Sequence, residues 1–456
     1  MTLVSVCIPT RNHAAFLAEA VNSALAQDVA GLEVVVCDDA STDGTTQVLG
    51  AIRDDRVRVL RNERRVGVAA ARNTCLGSAR GRYVAWLDAD DVYLDGSLGR
   101  HLALLDAHPD VGVAHAGFQL MDEQGRPLPD WPAPAPRGAV TAGRVAFRQM
   151  ITSNTMTTST VVGRRDVFDQ VGGFAGNLGR CGSDWHMWLR IAAVADVGYV
   201  AEPAARYRQH TRTITRGATR RERLASDHAV VADVLRRHPD RATPETVTAA
   251  RSALAGKALF AAGDAATAGR RLEAVRHALW GARVAPPRAW RPLLRVAAAL
   301  TRGDSYAGYQ AAKRALAILA PMVGDTPFGE RLASSAARDA RYEASLARAA
   351  SRIRASTSGD ARIATVTKWD PTLLRLAGRA GEQFPDRREL TDGYPSDDRA
   401  AVRQLELTRS RGCTHLVFTW ATEWWLDYYP GFRDVLDASS RLIHRDDDCL
   451  IYELRR

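Results

Sequence analysis

Three carboxylates fall within four positions at Asp88, Asp90 and Asp91, directly behind the apolar run Tyr83-Val84-Ala85-Trp86-Leu87. Carboxylates that close repel one another unless a cation sits among them. Their hard oxygens suit Mg2+ or Mn2+, and a bound divalent ion can then bridge the phosphates of a substrate. An isolated Asp-x-Asp is as readily a solvated turn, and Asp91 in particular reads as a solvated acid at a helix start, favoured by the helix dipole. Two further polar clusters follow apolar runs in the same manner: Pro9-Thr10-Arg11-Asn12 and Asp38-Asp39-Ala40-Ser41-Thr42-Asp43-Gly44. In the second, Asp38 reads equally well as the cap of a turn, and Asp43 as the N-cap of the next helix.

These clusters depend on the elements that carry them. Leu3–Pro9, Leu32–Cys37, Val57–Leu60 and Arg82–Leu87 are short apolar runs and are predicted strands. Ala14–Ala26, Thr45–Arg53 and Gly67–Ala79 lie between them and are predicted helices. Such alternation implies an α/β fold with a mostly parallel, doubly wound sheet. Ligands of these sheets bind outside the carboxyl ends of the strands, so the clusters should converge on one edge. The chain lacks a Gly-x-Gly-x-x-Gly after the first strand and any Gly-x-x-x-x-Gly-Lys-Ser/Thr, which argues against a dinucleotide oxidoreductase and a P-loop enzyme. Further on, Gly96–His108, Val145–Met150 and Arg165–Val171 are predicted helical, and Asp122–Arg137 a surface loop. Val111–Phe118, Thr155–Val162, Val197–Val200 and Ala204–Arg208 are predicted strands.

The chain has 456 residues, room for two or three domains, and its 46% hydrophobic and 25% charged content is ordinary for a globular protein. The net charge is +10, carried almost wholly by arginine, since Lys257, Lys313 and Lys368 are the only lysines. That charge fits a phosphate-rich substrate or an anionic membrane surface. No basic stripe interleaved with aromatics and no zinc-finger spacing is present, so nucleic acid is not expected as a partner. The six cysteines are scattered and read as reduced, mostly buried thiols. No run is long enough for a membrane span, and no basic segment precedes an apolar one at the start. The expected location is the cytoplasm, with peripheral contact at the inner face of the plasma membrane as an additional expectation.

Four segments, Val4-Ser5-Val6-Cys7-Ile8-Pro9-Thr10-Arg11-Asn12, Val34 to Gly44, Gly67-Val68-Ala69-Ala70-Ala71-Arg72-Asn73 and Leu87-Asp88-Ala89-Asp90-Asp91, resemble the successive blocks of family 2 glycosyltransferases. The resemblance implies the GT-A fold, a nucleotide-sugar-binding α/β domain. It implies that Pro9, Thr10 and Arg11 line the nucleotide pocket, that Asp39 accepts from a uracil or thymine base, and that Arg72 lies near the nucleotide-sugar. Asp88 is implied at the ribose or metal shell, and Asp90 at the divalent ion. Cys181-Gly182-Ser183-Asp184-Trp185-His186 is similar to the family's acceptor-side motif, which makes Asp184 the general base. Ser183 stands where the family usually has Glu, which puts the neighbouring acceptor contact in doubt. Asp184 also reads as a helix N-cap, and His186 either touches the acceptor or, the favoured reading, lies on the helix surface. Arg206-Tyr207-Arg208-Gln209-His210 resembles the family's late Tyr-Arg-x-His segment and makes His210 a candidate for the metal or pyrophosphate, with Arg208 beside it.

The implied activity is inverting transfer of a sugar from a UDP- or dTDP-sugar to the hydroxyl of a glycan, lipid-linked or small-molecule acceptor, in cell-surface glycan or secondary-metabolite assembly. The alternatives are a nucleotidyltransferase, against which the block order argues, and a catalytically degenerate binding scaffold. Three parts are expected: a transferase domain at 1–218, a helical region at 219–355 and a small α/β module at 356–456. Within the helical region, Lys257–Asp264 followed by Leu272–Leu279 is similar to one tetratricopeptide-type helix pair. Its Arg-rich helices either pack internally, the favoured reading, or touch an anionic membrane. Gln383-Phe384-Pro385, Trp424-Trp425-Leu426 and Tyr429-Pro430-x-Phe432 resemble a C-terminal module found with bacterial family 2 glycosyltransferases. Buried packing is the expected role of Trp424 and Trp425, and Asp446–Asp448 reads as a solvated turn.

Overall fold

The computed structural model describes residues 3–128, 139–179, 181–210, 217–267, 270–287, 289–301, 305–366, 372–385, 395 and 397–455. The end of the expected surface loop, 129–137, lies outside them. The chain divides into two compact units, Met1–Glu330 and Arg331–Arg456.

In the first unit, strands β1 (Val4–Thr10), β2 (Leu32–Asp38), β3 (Val57–Arg61) and β4 (Tyr83–Trp86) alternate with helices α1 (Leu17–Leu25), α2 (Thr45–Ala51) and α3 (Val68–Ser78). These four strands are parallel, with Val6 opposite Val34 on one side and Ala85 on the other. Successive strand residues point to opposite faces. Val4, Val6, Ile8, Val34 and Val36 pack with α1 and its neighbours, while Cys7, Val35, Cys37 and Trp86 pack with α3. Both faces are therefore apolar and both are covered, which is why the strands read as continuous apolar runs.

The sheet continues through β5 (Val92–Tyr93), β6 (Val111–Met121), β7 (Val140–Thr141), β8 (Val162–Arg164) and β9 (Asp196–Arg208). Its order is β3-β2-β1-β4-β8-β6-β9-β5, with β7 on β9. β8 is antiparallel to β4 and β6, so the sheet is mixed on this side. The two expected closing strands are one long strand, β9, broken in register opposite β6. The expected strand Thr155–Val162 is instead a 3-10 turn at Thr158–Thr160 followed by the short β8. Its hydroxyl side chains are drawn to carboxylates rather than alternating across a pleat, as the site geometry below explains.

Helices α4 (Ser97–Ala107), α5 (Gly143–Met150), α6 (Arg165–Val171) and α7 (Ser183–Val194) complete the layers. Next come α8 (Arg220–Arg237), α9 (Pro244–Thr267), α10 (Arg271–Val284), α11 (Trp290–Thr301) and α12 (Ser305–Val323). Val230, Val231 and Val234 of α8, with Ala250 and Leu254 of α9, share one apolar cluster with Trp86, Trp185 and Trp188. An alanine-rich cluster joins α9 through α12. Among the described residues, no helix is long and apolar enough to cross a membrane.

The second unit holds a five-stranded sheet ordered β11-β10-β12-β14-β13, made of β10 (Arg362–Val366), β11 (Ala380–Gln383), β12 (His415–Thr419), β13 (Ser440–Arg445) and β14 (Cys449–Leu454). Phe384, Trp425, Tyr429 and Phe432 are buried together in its core, so those three sequence motifs are packing motifs. Trp424 departs from the expectation and stays 44% exposed. Asp446 is more than a solvated acid: it accepts from the backbone N–H groups of Asp448 and Cys449 and pairs with Arg352 at 3.0 Å. Cys7, Cys37, Cys75, Cys413 and Cys449 are free thiols and are buried.

Candidate active site

The site lies where β1, β2, β4 and β9 end. The loops behind β1 and β2 are tied together. Arg11 donates to the carbonyls of Asp39 (2.6 Å) and Ala40 (2.7 Å), and Asn12 accepts from the backbone N–H of Thr42 (2.8 Å). Asn12 and Ala40 both take left-handed backbone conformations, with φ of 56° and 52°. Non-glycine residues pay for that conformation, and such strain persists only where the surroundings fix it. Asp39 is buried and accepts from Asn62, from the N–H of Val66 and from the N–H of Gly67, which binds the end of β2 to the start of α3. Burial raises its carboxyl, but those donors outweigh it and bring Asp39 below the usual carboxylate range. Thr10 is buried at the end of β1, and its hydroxyl has no partner among the described residues.

Behind β4 the three acids separate in role. Asp88 meets Arg72 at 3.0 Å. Burial raises the Asp88 carboxyl and Arg72 pulls it back, but the charges of Asp90 and Asp184 push the same way as burial and the net shift is upward. Asp90 lies 2.9 Å from Nε2 of His210. Burial raises Asp90 too, yet the His210 hydrogen bond and the His13 and His210 imidazoles overcome it, so Asp90 is held ionised more readily than a free carboxyl. His13, Asp90 and His210 present donor atoms within 4.8 Å of one another. Two imidazole nitrogens and one carboxylate oxygen converging at that spacing fit a divalent ion, which would take the place of the proton between Asp90 and His210. The nitrogen donors favour a transition ion such as Mn2+ over Mg2+.

Asp184 sits one residue inside α7, behind Gly182, whose φ of 110° turns the chain into the helix. One oxygen of Asp184 accepts from the Trp185 N–H at 2.8 Å, and the other lies 3.4 Å from Asn154 Nδ2 and 3.5 Å from Thr158 Oγ1. Thr158 is also 3.4 Å from Arg72. The 3-10 turn thus links Asp88, Arg72 and Asp184, and its next residue, Ser159, donates to Asp91 at 2.5 Å. The first turn of α7 is braced by later helices. His186 meets Asp233 of α8 at 2.8 Å, and Lys257 of α9 lies 4.6 Å from the Trp185 ring.

Asp88, Asp90, Asp184, Arg72 and His210 are brought together. Pro9 and Thr10 end β1 beside the paired loops, and Arg11 spends its guanidinium on bracing those loops. Two expectations are corrected. Asp91 is 1% exposed, not solvated, because it accepts from Ser159 and from the Arg208 N–H, which fixes β9 to the β4 turn. His186 is fully buried rather than on a helix surface, since α8 covers it. Asp38 does cap its turn through the Ser41 N–H, and Asp43 bonds the Thr45 N–H from just before the helix. Arg208 is buried under the Asp90 carbonyl, beside Glu19 and over the Phe16 ring. Sequence reasoning missed His13 and Thr158. His13 stands one residue past the Pro9–Asn12 cluster, and its signal was that proximity alone.

Residues 5–172 match the family model described as Glycosyl transferase family 2. The putative glycosyltransferase EpsE of Bacillus subtilis is 36% identical over 138 residues, 29% of this chain and 50% of that protein. The Escherichia coli protein named UDP-Glc:alpha-D-GlcNAc-diphosphoundecaprenol beta-1,3-glucosyltransferase WfaP is 36% identical over 106 residues, 23% of this chain and 42% of its own length. The chain thus spans half or less of these curated relatives. The fold is similar to that of S. aureus TarS residues 1–349, solved in complex with UDP-GlcNAc: the TM-score is 0.51 at 18% identity, covering 68% of this chain and 91% of that one. The first unit therefore has a GT-A-type architecture.

Proposed function

We propose that this protein is an inverting, divalent-metal-dependent glycosyltransferase that moves a sugar from a UDP- or dTDP-sugar to an acceptor hydroxyl in cell-surface polysaccharide assembly. The observation that carries the reading is the meeting of Asp88, Asp90, His13, His210 and Asp184 at one sheet edge. The donor's nucleotide lies across Pro9, Thr10 and Asp39, and Arg72 faces its charged portion. His13, Asp90 and His210 would hold a divalent ion, which would supply positive charge to offset that developing on the leaving diphosphate. Asp184 takes the proton of the acceptor hydroxyl. The acceptor oxygen forms a bond to the anomeric carbon as the bond to the diphosphate oxygen breaks, and one such displacement inverts the configuration. The names of WfaP and of the TarS complex support a UDP-linked donor, and that of WfaP a lipid-diphosphate acceptor. The transferase assignment is of residues 1–218, with the helical region and the α/β module as accessory parts.

Donor turnover separates binding from chemistry. Asp184→Asn should bind UDP with Mn2+ as the parent does, yet lose roughly 100-fold or more of its transfer or donor-hydrolysis rate, the range of a lost general base. An Asp184→Asn protein with full activity would remove Asp184 from that role.

A further inference from the structure

Helices α10 and α11 carry large apolar side chains on their outer faces as well as an apolar inner face. Toward the core they present Ala274, His277, Ala278, Gly281 and Ala282, then Leu293, Val296, Ala297 and Leu300. On the outer face Leu272 is 76% exposed, Leu279 47%, Trp290 42% and Leu294 38%. Arginines are interleaved with them. Leu272, Arg276, Leu279 and Arg283 follow one face of α10, and Trp290, Arg291, Leu294 and Arg295 one face of α11. The two helices form a hairpin, since Arg271 at the start of α10 reaches the Thr301 carbonyl at the end of α11.

Charge decides what such a face fits. Residues 271–301 hold six arginines and a single acid, Glu273. Glu273 pairs with Arg270 at 3.1 Å, off the exposed stripes. Among the described residues, Arg276, Arg283, Arg291 and Arg295 have no carboxylate within ion-pair distance. Elsewhere in the chain exposed arginines are often paired, as Arg236 and Arg237 are with Asp233. A water-facing helix gains nothing from exposed leucine and tryptophan, and a nucleic-acid face would not need the leucines. Apolar side chains alternating with unpaired guanidinium groups suit the boundary of an anionic bilayer, where leucine and tryptophan enter the acyl border and arginine stays at the headgroups.

We infer that the outer face of the α10–α11 hairpin is a peripheral docking surface for an anionic lipid bilayer. This stands on the helix faces alone and does not require the catalytic reading.

The test is flotation of the full-length protein with vesicles of phosphatidylglycerol and phosphatidylcholine in equal parts, against pure phosphatidylcholine vesicles. The protein should float with the anionic vesicles, remain behind with the neutral ones, and bind less at high salt. Two variants divide the contributions: Leu272→Ser with Trp290→Ser and Leu294→Ser, and Arg276→Gln with Arg283→Gln, Arg291→Gln and Arg295→Gln. Each should lower anionic-vesicle partitioning by at least about tenfold. Each should leave the melting temperature and the UDP response unchanged, because the altered side chains are exposed and outside the donor site. Failure of the parent to float with anionic vesicles, or parent-like flotation of both variants, would overturn the inference. So would a dimer in sedimentation that Trp290→Ser dissolves, because the face would then serve a second copy of the chain. A nucleotide-induced shift measured in the same preparations reports on the donor site separately.

Discussion

His13 gives the site a chemistry that the acidic run alone does not. With Asp90 and His210 it makes a two-imidazole, one-carboxylate donor set within 4.8 Å. His13→Ala should weaken Mn2+ binding, read by calorimetry, by at least about tenfold, the scale on which even outer-shell partners act. Unaltered Mn2+ affinity would exclude His13 from the ligand set. The carboxylates Asp88, Asp90 and Asp184 were legible because each ends or begins a regular element and stands in a motif. His13, Thr158 and the burial of Asp91 were not legible, for a shared reason. Each acquires its role from a partner distant in sequence, as Asp91 does from Ser159, 68 positions away, and Thr158 from Arg72, 86 positions away, and no local pattern encodes that meeting.

Strands and helices of the first half were readable from apolar runs and turn residues, with ends displaced by up to three residues, as at α1 and β6. The segment around Thr158 was misread because β-branched residues favour strands, whereas its hydroxyls are recruited by Asp184, Arg72 and Asp91. His186 was misread because its burial depends on α8, which the helical spacing of α7 does not reveal. That contact is testable through pH. Burial holds His186 down to about 4 against the pull of Asp233. A free histidine titrates near about 6.5, so between those values the unfolded chain takes up a proton that the folded chain refuses. Stability is complete above that range and falls as the pH drops through it. Asp233, which burial raises but Arg237, His186 and Arg236 pull below the usual carboxylate range, adds a loss of the same sign at lower pH. His115, held by burial at about 3, shares the sign, so the parent and His186→Gln must be compared. The variant's stability should fall less steeply between those pH values, by up to roughly 1.4 kcal/mol per pH unit. Parallel curves would show that His186 is protonated alike in both states.

At the scale of the molecule, the apolar clusters divide between two compact units, Met1–Glu330 and Arg331–Arg456. Scanning calorimetry of the full chain should resolve two transitions, and UDP with Mn2+ should raise only one of them, since ligand stabilises the unit that binds it. One cooperative transition, raised as a whole, would contradict separate folding units. The most direct test of the central claim is the melting temperature of the first unit's transition in UDP or dTDP, with and without Mn2+, for the parent and Asp90→Ala. The parent should be stabilised only when nucleotide and Mn2+ are both present, and Asp90→Ala should show no such rise. A parent that ignores nucleotide with Mn2+, or an Asp90→Ala protein that responds as the parent does, would contradict a metal-assisted nucleotide-sugar site at the ends of β1, β4 and β9.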